Sequence, residues 1–277
     1  MAAIAIALGG STALASGEGL RFSYEPAARF AVTEPGRVLA MRGEVQPGDL
    51  KRLGDFIRGD PNAFVEHGGT AVFVVDGGDV LEAIHIGELL QEAMLHVWLP
   101  DVGSTRCLSA CFFMFASAVS RDAVPGSVGI HRPHLDEQRL AGAQAQAVRS
   151  RYRTLMRDFR NHLDELSVPG DLIEKMLRTP WNESYRLSEE DLERLGRTQP
   201  WFEDYAAANC GVQPALARRL REAQQAGFEV EARSLRSELL RARGCLHELL
   251  VKHRAAFVES LAEQAGSRSS ASKQDAR

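Results

Sequence analysis

Apolar residues along this chain follow two rhythms, and the elements it predicts come from the alternation between them. Short continuous apolar runs predict strands covered on both faces. Apolar residues that return every three or four positions predict helices with one buried stripe. Residues 37–45 read as a strand closed by the turn Pro47-Gly48-Asp49. Asp49 is the expected N-cap of a helix over 50–58, on which Leu50, Leu53, Phe56 and Ile57 share one face. A polar, glycine-containing loop over 59–69 leads to a strand over 70–75, an unbroken apolar run. After Gly77-Gly78, residues 80–94 are helical by pattern, with Val80, Ala83, Ile84, Gly87 and Leu90 on one stripe. A strand over 95–99 and a loop over 100–106 follow. Strand, glycine turn, helix and strand in succession is the grammar of an α/β fold.

The run 110–118 is apolar on every side, which predicts a buried helix. Pro125-Gly126 turns the chain into a short strand, 127–131. Beyond Pro133 the composition becomes polar, and a long helix is expected over 138–166 with Leu155, Phe159, Leu163 and Leu166 on its stripe. Pro169-Gly170 breaks it, a short helix follows over 171–178, and 179–185 is a loop. Ser188 caps a further helix to Leu195, with Asp191 in the capping-box position and Gly196 as the stop. From Pro200 the chain reads as a helical appendage. Residues 214–226 and 228–265 are its two main stretches, separated by Gly227, with Gly244 able to interrupt the second. The expected organisation is thus an α/β domain over 37–198, a helical C-terminal appendage over 200–265 and a disordered, Ser- and charge-rich tail over 266–277.

Composition changes this picture in three places. With 44% hydrophobic and 25% charged residues the chain is ordinary for a globular protein, and a formal net charge of −4 implies no general attraction to nucleic acid. The arginines of the C-terminal third alternate with glutamate, as on a solvated helix face. No apolar run is long enough for a membrane span. Residues 1–15 stand apart, because they carry no charged side chain and end Ala13-Leu14-Ala15 before Ser16. That is the pattern of a cleavable signal segment, although no Lys or Arg precedes it, and it predicts a periplasmic or other extracytoplasmic location. The four cysteines are an even number that suits two disulfides in such a compartment. Cys210 and Cys245 come into reach if the C-terminal helices fold back at Gly227, and Cys107 and Cys111 form the other pair. Cys-x-x-x-Cys with His131 and His134 downstream matches no standard set of zinc ligands, so no metal and no other cofactor is expected.

The residues able to do chemistry gather between 107 and 133. Ser109 opens the apolar run. A serine there is commonly a helix cap, but a helix start also offers free N–H groups and a positive dipole end to a developing oxyanion. His131 ends the short strand. It can be structural, or it can act as the base for a serine by virtue of its near-neutral pKa. Gly77-Gly78 is a strand-to-helix turn at which the backbone can approach a ligand closely. Cys111 lies about 200° around an ideal helix from Ser109, so the two do not face one substrate.

In this order, Val75-Asp76-Gly77-Gly78, Ser109-Ala110-Cys111 and Ile130-His131-Arg132-Pro133 resemble the ClpP/crotonase superfamily, particularly ClpP-like serine peptidases and their exported relatives. The resemblance covers residues 37–196. It implies an α/β fold with a ClpP/crotonase-like core of stacked strand-helix units. It also implies Ser109 as nucleophile, His131 as general base, and the N–H groups of Gly78 and Ala110 as oxyanion hole, with Gly77 the adjacent candidate. Two departures stand out. Val75-Asp76 replaces the family's Ser-Pro, and Cys111 replaces a frequent glycine. The family's third triad member is an acid in the loop before Leu187-Ser188. Glu183 is the carboxylate of that loop, and Asn182 is the alternative orienter. The function expected is a serine hydrolase of peptidase type, acting on a peptide or protein and assembling with copies of itself. The alternative is a non-catalytic binding or assembly protein that keeps the fold. A crotonase-type acyl-CoA enzyme ranks third, since that chemistry does not need a Ser/His pair.

Overall fold

The computed structural model describes residues 19–30, 36–102, 105–134, 142 and 144–274, with only the backbone at 214 and 265–274. The expected signal segment, 1–15, lies outside the described residues, as does the start of the helix expected over 138–166.

Among the described residues eight strands form one mixed sheet that branches. β1 (Arg21–Pro26) runs antiparallel to β2 (Arg37–Val45), which runs parallel to β3 (Thr70–Gly78). The other edge of β3 is shared. Thr70, Ala71 and Val72 pair with β4 (His96–Leu99), which in turn carries β6 (Ser120–Ala123). Val74 and Val75 pair with β5 (Arg106–Leu108), then come β7 (Val128–Ile130) and antiparallel β8 (Tyr185–Arg186). The apolar run in β3 follows from its two covered faces. Ala71, Phe73 and Val75 join Leu39 and Met41 of β2 in the main core. Val72 joins Val38 and Ala40 on the opposite face, against Ala27 and Phe30. Successive strand residues point to opposite faces, so two buried faces require a run without polar breaks.

Four helices flank this sheet in the first half of the fold: α1 (Asp49–Gly59), α2 (Pro61–His67), α3 (Val80–Glu92) and α4 (Cys111–Ser117). Two expectations are corrected here. Gly48, at φ 94°, is the N-cap of α1 rather than Asp49. The fully buried Asp49 carboxylate instead accepts from the nearby Gln46 N–H at 2.6 Å and from the Leu20 N–H at 3.0 Å, a donor that only the tertiary fold supplies. The loop expected over 59–69 holds α2, because Asp60 caps it by accepting from the Ala63 N–H at 3.0 Å and Pro61 opens its first turn.

The helix α4 is buried along its whole length, and its far end is anchored. Arg121 of β6, 2% exposed, donates to the Ala116 carbonyl at the end of α4. It also donates to the carbonyls of Leu195 at 2.8 Å and Gly196 at 3.0 Å, at the end of α7 (Glu189–Leu195). Burial pushes the Arg121 guanidinium down to about 10, and these terminal helix carbonyls are what hold the cation in the interior. The Gln199 amide reaches the same Ala116 carbonyl at 2.6 Å.

Between these lie α5 (Ala145–Glu165) and α6 (Gly170–Arg178), and Ser188 and Asp191 form the expected capping box on α7. The chain after Pro200 is helical: α8 (Pro200–Cys210), α9 (Pro214–Gln225) and α10 (Glu229–Gln274). The last helix runs without a break through Gly244 and on into the 266–277 stretch. Its first part forms a hairpin with α9, packed through Leu216, Ala223, Ala232 and Leu235. The disulfide Cys210–Cys245 ties α8 to it. Farther along, Phe257 enters the main core against Phe64 of α2, with ring centroids 6.0 Å apart, and Arg254 donates to the Val65 carbonyl at 3.2 Å. Among the described residues no helix is long and apolar enough to cross a membrane.

Candidate active site

The turn from β5 into α4 is two residues long, and Ser109 is the first of them. Leu108 pairs with Gly129 of β7, the Ser109 N–H donates to the Gly129 carbonyl at 2.8 Å, and α4 begins at Cys111. Ser109 has φ 55°, the left-handed region that a non-glycine residue enters only at a cost. Its side chain does not cap the helix. Ala110 is the N-cap residue, and no side-chain capping hydrogen bond is made. Ser109 stands one residue before the N-cap, and its backbone carbonyl accepts from the Phe112 N–H at 2.9 Å.

The Ser109 side chain faces Gly77. A Cβ on Gly77 would lie 2.7 Å from Ser109 Cβ and 3.2 Å from its Oγ, and φ there is 115°. Gly78, at φ 120°, is equally constrained, since a Cβ would meet the Val45 carbonyl oxygen at 2.1 Å. β3 thus runs three residues past the expected end at 75, through both glycines, paired to β2 across an irregularity between Gly43 and Val45. Asp79 then caps α3 by accepting from the Glu82 N–H at 2.9 Å. The glycine pair and the serine turn are brought together by β3–β5 pairing, Val75 with Cys107.

His131 directly follows β7, two residues after the carbonyl that holds the Ser109 amide. Its Nδ1 lies 2.9 Å from the Arg132 carbonyl oxygen. A carbonyl only accepts, so Nδ1 is the donor in this contact. Among the described residues neither the Ser109 hydroxyl nor any carboxylate is hydrogen-bonded to the ring. The loop 179–184 lies against this segment. The Arg132 N–H donates to the Thr179 carbonyl at 3.0 Å, Ile130 pairs with Tyr185, and the His134 ring stacks on Trp181 at 4.8 Å. Glu183 is exposed and lines a cleft of about 430 Å³ with Lys175, Arg178, Thr179, Pro180, Ser184 and Tyr185. Asn182 is also exposed. Ser109 and His131 are not in the wall of that cleft.

Two features of the neighbourhood carry no signal in residue order, and a third, the Cys107–Cys111 bridge, is a pair the sequence offered. Arg106 clasps Asp76 with two hydrogen bonds, one of 2.7 Å, and this contact raises its pKa. The two residues meet only because β5 pairs with β3. Below the 179–185 loop, Lys175 donates to Asp191 at 2.6 Å and to the Tyr185 hydroxyl at 3.1 Å, and that hydroxyl donates to Asp191 at 2.8 Å. Cys107 and Cys111 form a disulfide with Cα atoms 5.2 Å apart, which removes both thiols as nucleophile or metal ligand.

No family model matches the chain, and no curated protein does. Among solved structures it is similar to a mutant of the 1510-N membrane-bound stomatin-specific protease. Identity is 12%, over 62% of this chain and 83% of that one, with a TM-score of 0.39. At that distance the likeness says nothing about individual residues.

Proposed function

We propose that the chain is a serine hydrolase of peptidase type with a ClpP/crotonase-like core, in which Ser109 is the nucleophile and His131 the general base. The observation that carries this reading is the Ser109 backbone at φ 55°, in a strand-to-helix turn, with its side chain against Gly77. Strain of that kind persists only where surrounding structure enforces it, and a nucleophile on such a turn has its hydroxyl lifted clear of the helix. In the proposed reaction Ser109 Oγ attacks the substrate carbonyl while His131 Nε2 takes its proton. The same nitrogen then returns the proton to the leaving group. The amides of Gly78 and Ala110, with Gly77 beside them, receive the oxyanion. With Nδ1 directed at the Arg132 carbonyl, Nε2 is the nitrogen left for Ser109, and in this reading the pair acts as a dyad, with Glu183 and Asn182 exposed on the neighbouring 179–184 loop. Hydrogen bonds between base and nucleophile commonly tighten only when substrate binds. Two disulfides suit an oxidising compartment, which favours the extracytoplasmic location. In this reading residues 37–198 form the catalytic body, and a peptide or protein is the substrate.

One observation favours the second reading, a binding protein that keeps the fold: no carboxylate bonds to His131 among the described residues. A fluorophosphonate probe separates the two. Hydrolase chemistry predicts labelling of the wild type that Ser109→Ala abolishes and His131→Ala reduces by roughly two orders of magnitude or more. Glu183→Gln should be milder. Wild-type protein that takes no label, or Ser109→Ala protein that labels equally, would move the assignment to binding.

A further inference from the structure

We infer that the Cys107–Cys111 disulfide is a positioning clamp for Ser109, an inference that rests on the hydrolase reading. The bridge brackets the serine symmetrically, with Cys107 in β5 and Cys111 the first residue of α4. Their Cα atoms are 5.2 Å apart, so the stretch from strand to helix, with Leu108, Ser109 and Ala110 between the cysteines, is closed by one covalent tie. The strand side of the turn is already fixed. The Cys107 N–H donates to the Ser127 carbonyl at 2.9 Å and the Ser109 N–H to the Gly129 carbonyl at 2.8 Å. On the helix side the turn itself adds the backbone bonds of its own first turn, from Phe112 to Ser109 and from Phe113 to Ala110, while α4 farther on is held by its burial and by Arg121 and Gln199 at the Ala116 carbonyl. These would tolerate a right-handed Ser109, which is the cheaper backbone state. The disulfide is what makes the left-handed state the one that closes the turn.

Loop length and burial point the same way. Loop-closure entropy grows with the number of residues enclosed, so a bridge with a sequence separation of 4 restrains the unfolded chain less than Cys210–Cys245, with a separation of 35. Its contribution is therefore local geometry. Both sulfur-bearing residues are fully buried, beyond reach of a dithiol while the fold is closed. The clamp is constitutive, set once on folding. Cys107 and Cys111 act through Ser109 and touch no substrate.

The test reads fluorophosphonate labelling of Ser109 as kinact and KI in wild type, in Cys107→Ala/Cys111→Ala and in Cys210→Ser/Cys245→Ser. A clamp predicts a kinact lower by roughly tenfold in the first variant with KI unchanged, because only the fraction with Ser109 in place reacts. The second variant, which loses the remote bridge, should keep both constants. A folded Cys107→Ala/Cys111→Ala protein with wild-type kinact overturns the clamp and leaves the hydrolase reading standing. Absence of labelling in the wild type overturns both. A second measurement needs no variant, since trypsin releases residues 107–121 as one peptide carrying Ser109 and both cysteines. Wild-type protein is equilibrated with dithiothreitol in mild urea, returned to urea-free buffer so that reduced and bridged molecules both refold, labelled, then alkylated with iodoacetamide. The dithiol supplies two electrons and two protons, becoming a cyclic disulfide while the protein Sγ–Sγ bond opens to two thiols. The clamp predicts that probe adducts concentrate on bridged peptides; equal labelling of bridged and alkylated peptides overturns it.

Discussion

Ser109 is held from three sides, and each side makes a different demand on residue type. Gly77 must lack a Cβ because the Ser109 side chain occupies that space at 2.7 Å, and because φ is 115° there. Gly77→Ala should therefore cost stability on the order of 1–3 kcal/mol from backbone strain alone and lower Ser109 labelling further by displacing the serine. Urea unfolding and probe labelling on the same sample check both, and an alanine variant that labels like wild type would mean Gly77 does not back the nucleophile. The residues proposed for this site are ones the sequence singles out, because glycine, serine and histidine each occur in a recognisable local frame. The conformation was not legible there. A serine at φ 55° has no signature in residue type, since the state is imposed by β5, β7 and the disulfide together. The Arg132 carbonyl on His131 was equally hidden, because every residue has a carbonyl.

Elements with strong local codes were readable, and those decided by register were not. The capping box at Ser188 and Asp191 and the helices over 80–92 and 170–178 carry their own signals. β1, β5 and β6 are short, and the last reads Ser-Arg-Asp-Ala, a polar sequence that becomes a strand only beside β4. Asp191 shows how an element signal acquires a tertiary role. Burial by itself would raise its carboxyl pKa, but Lys175, the Ser188 backbone and hydroxyl, and Tyr185 outweigh that and hold it well below the usual carboxylate range. A depressed folded-state pKa stabilises the protein above the unfolded value of about 3.9 and stops doing so as pH falls through the folded value. Asp191→Asn should thus be less stable than wild type by a constant margin above about pH 5, a margin that narrows as pH falls below about 4. Urea midpoints across that range measure it. A gap that stays constant to the lowest pH would mean the carboxylate charge is not what links α6, β8 and α7.

On the scale of the whole molecule, one helix belongs to two packing units. The first part of α10 lies against α9, while Phe257 is buried in the main core with Phe64. The pattern of the sequence showed two helices around Gly227, but not where the second would lead. Its stripe is interrupted by charge and its partners are more than 150 residues away, as in the bond from Arg254 to Val65, 189 residues apart. The branch in the sheet was likewise invisible, because β3 gives one edge to two strands whose order no local rhythm encodes. This dual membership has a measurable consequence. Proteins open in cooperative units, and a substitution accelerates amide exchange throughout the unit it weakens. Leu235→Ala removes a buried side chain from the hairpin and should speed exchange in α9 and the first turns of α10 alone. Phe257→Ala leaves a cavity beside Phe64, at a cost of about 3–5 kcal/mol. It should speed exchange in α2 and in β2 and β3 as well, the strands that carry Gly77-Gly78 to Ser109. If the Phe257→Ala effect stayed within α10, the C-terminal helix would be a separate unit leaning on the sheet. If it spread to β3, the far end of the chain would be part of the frame that holds the serine turn in place.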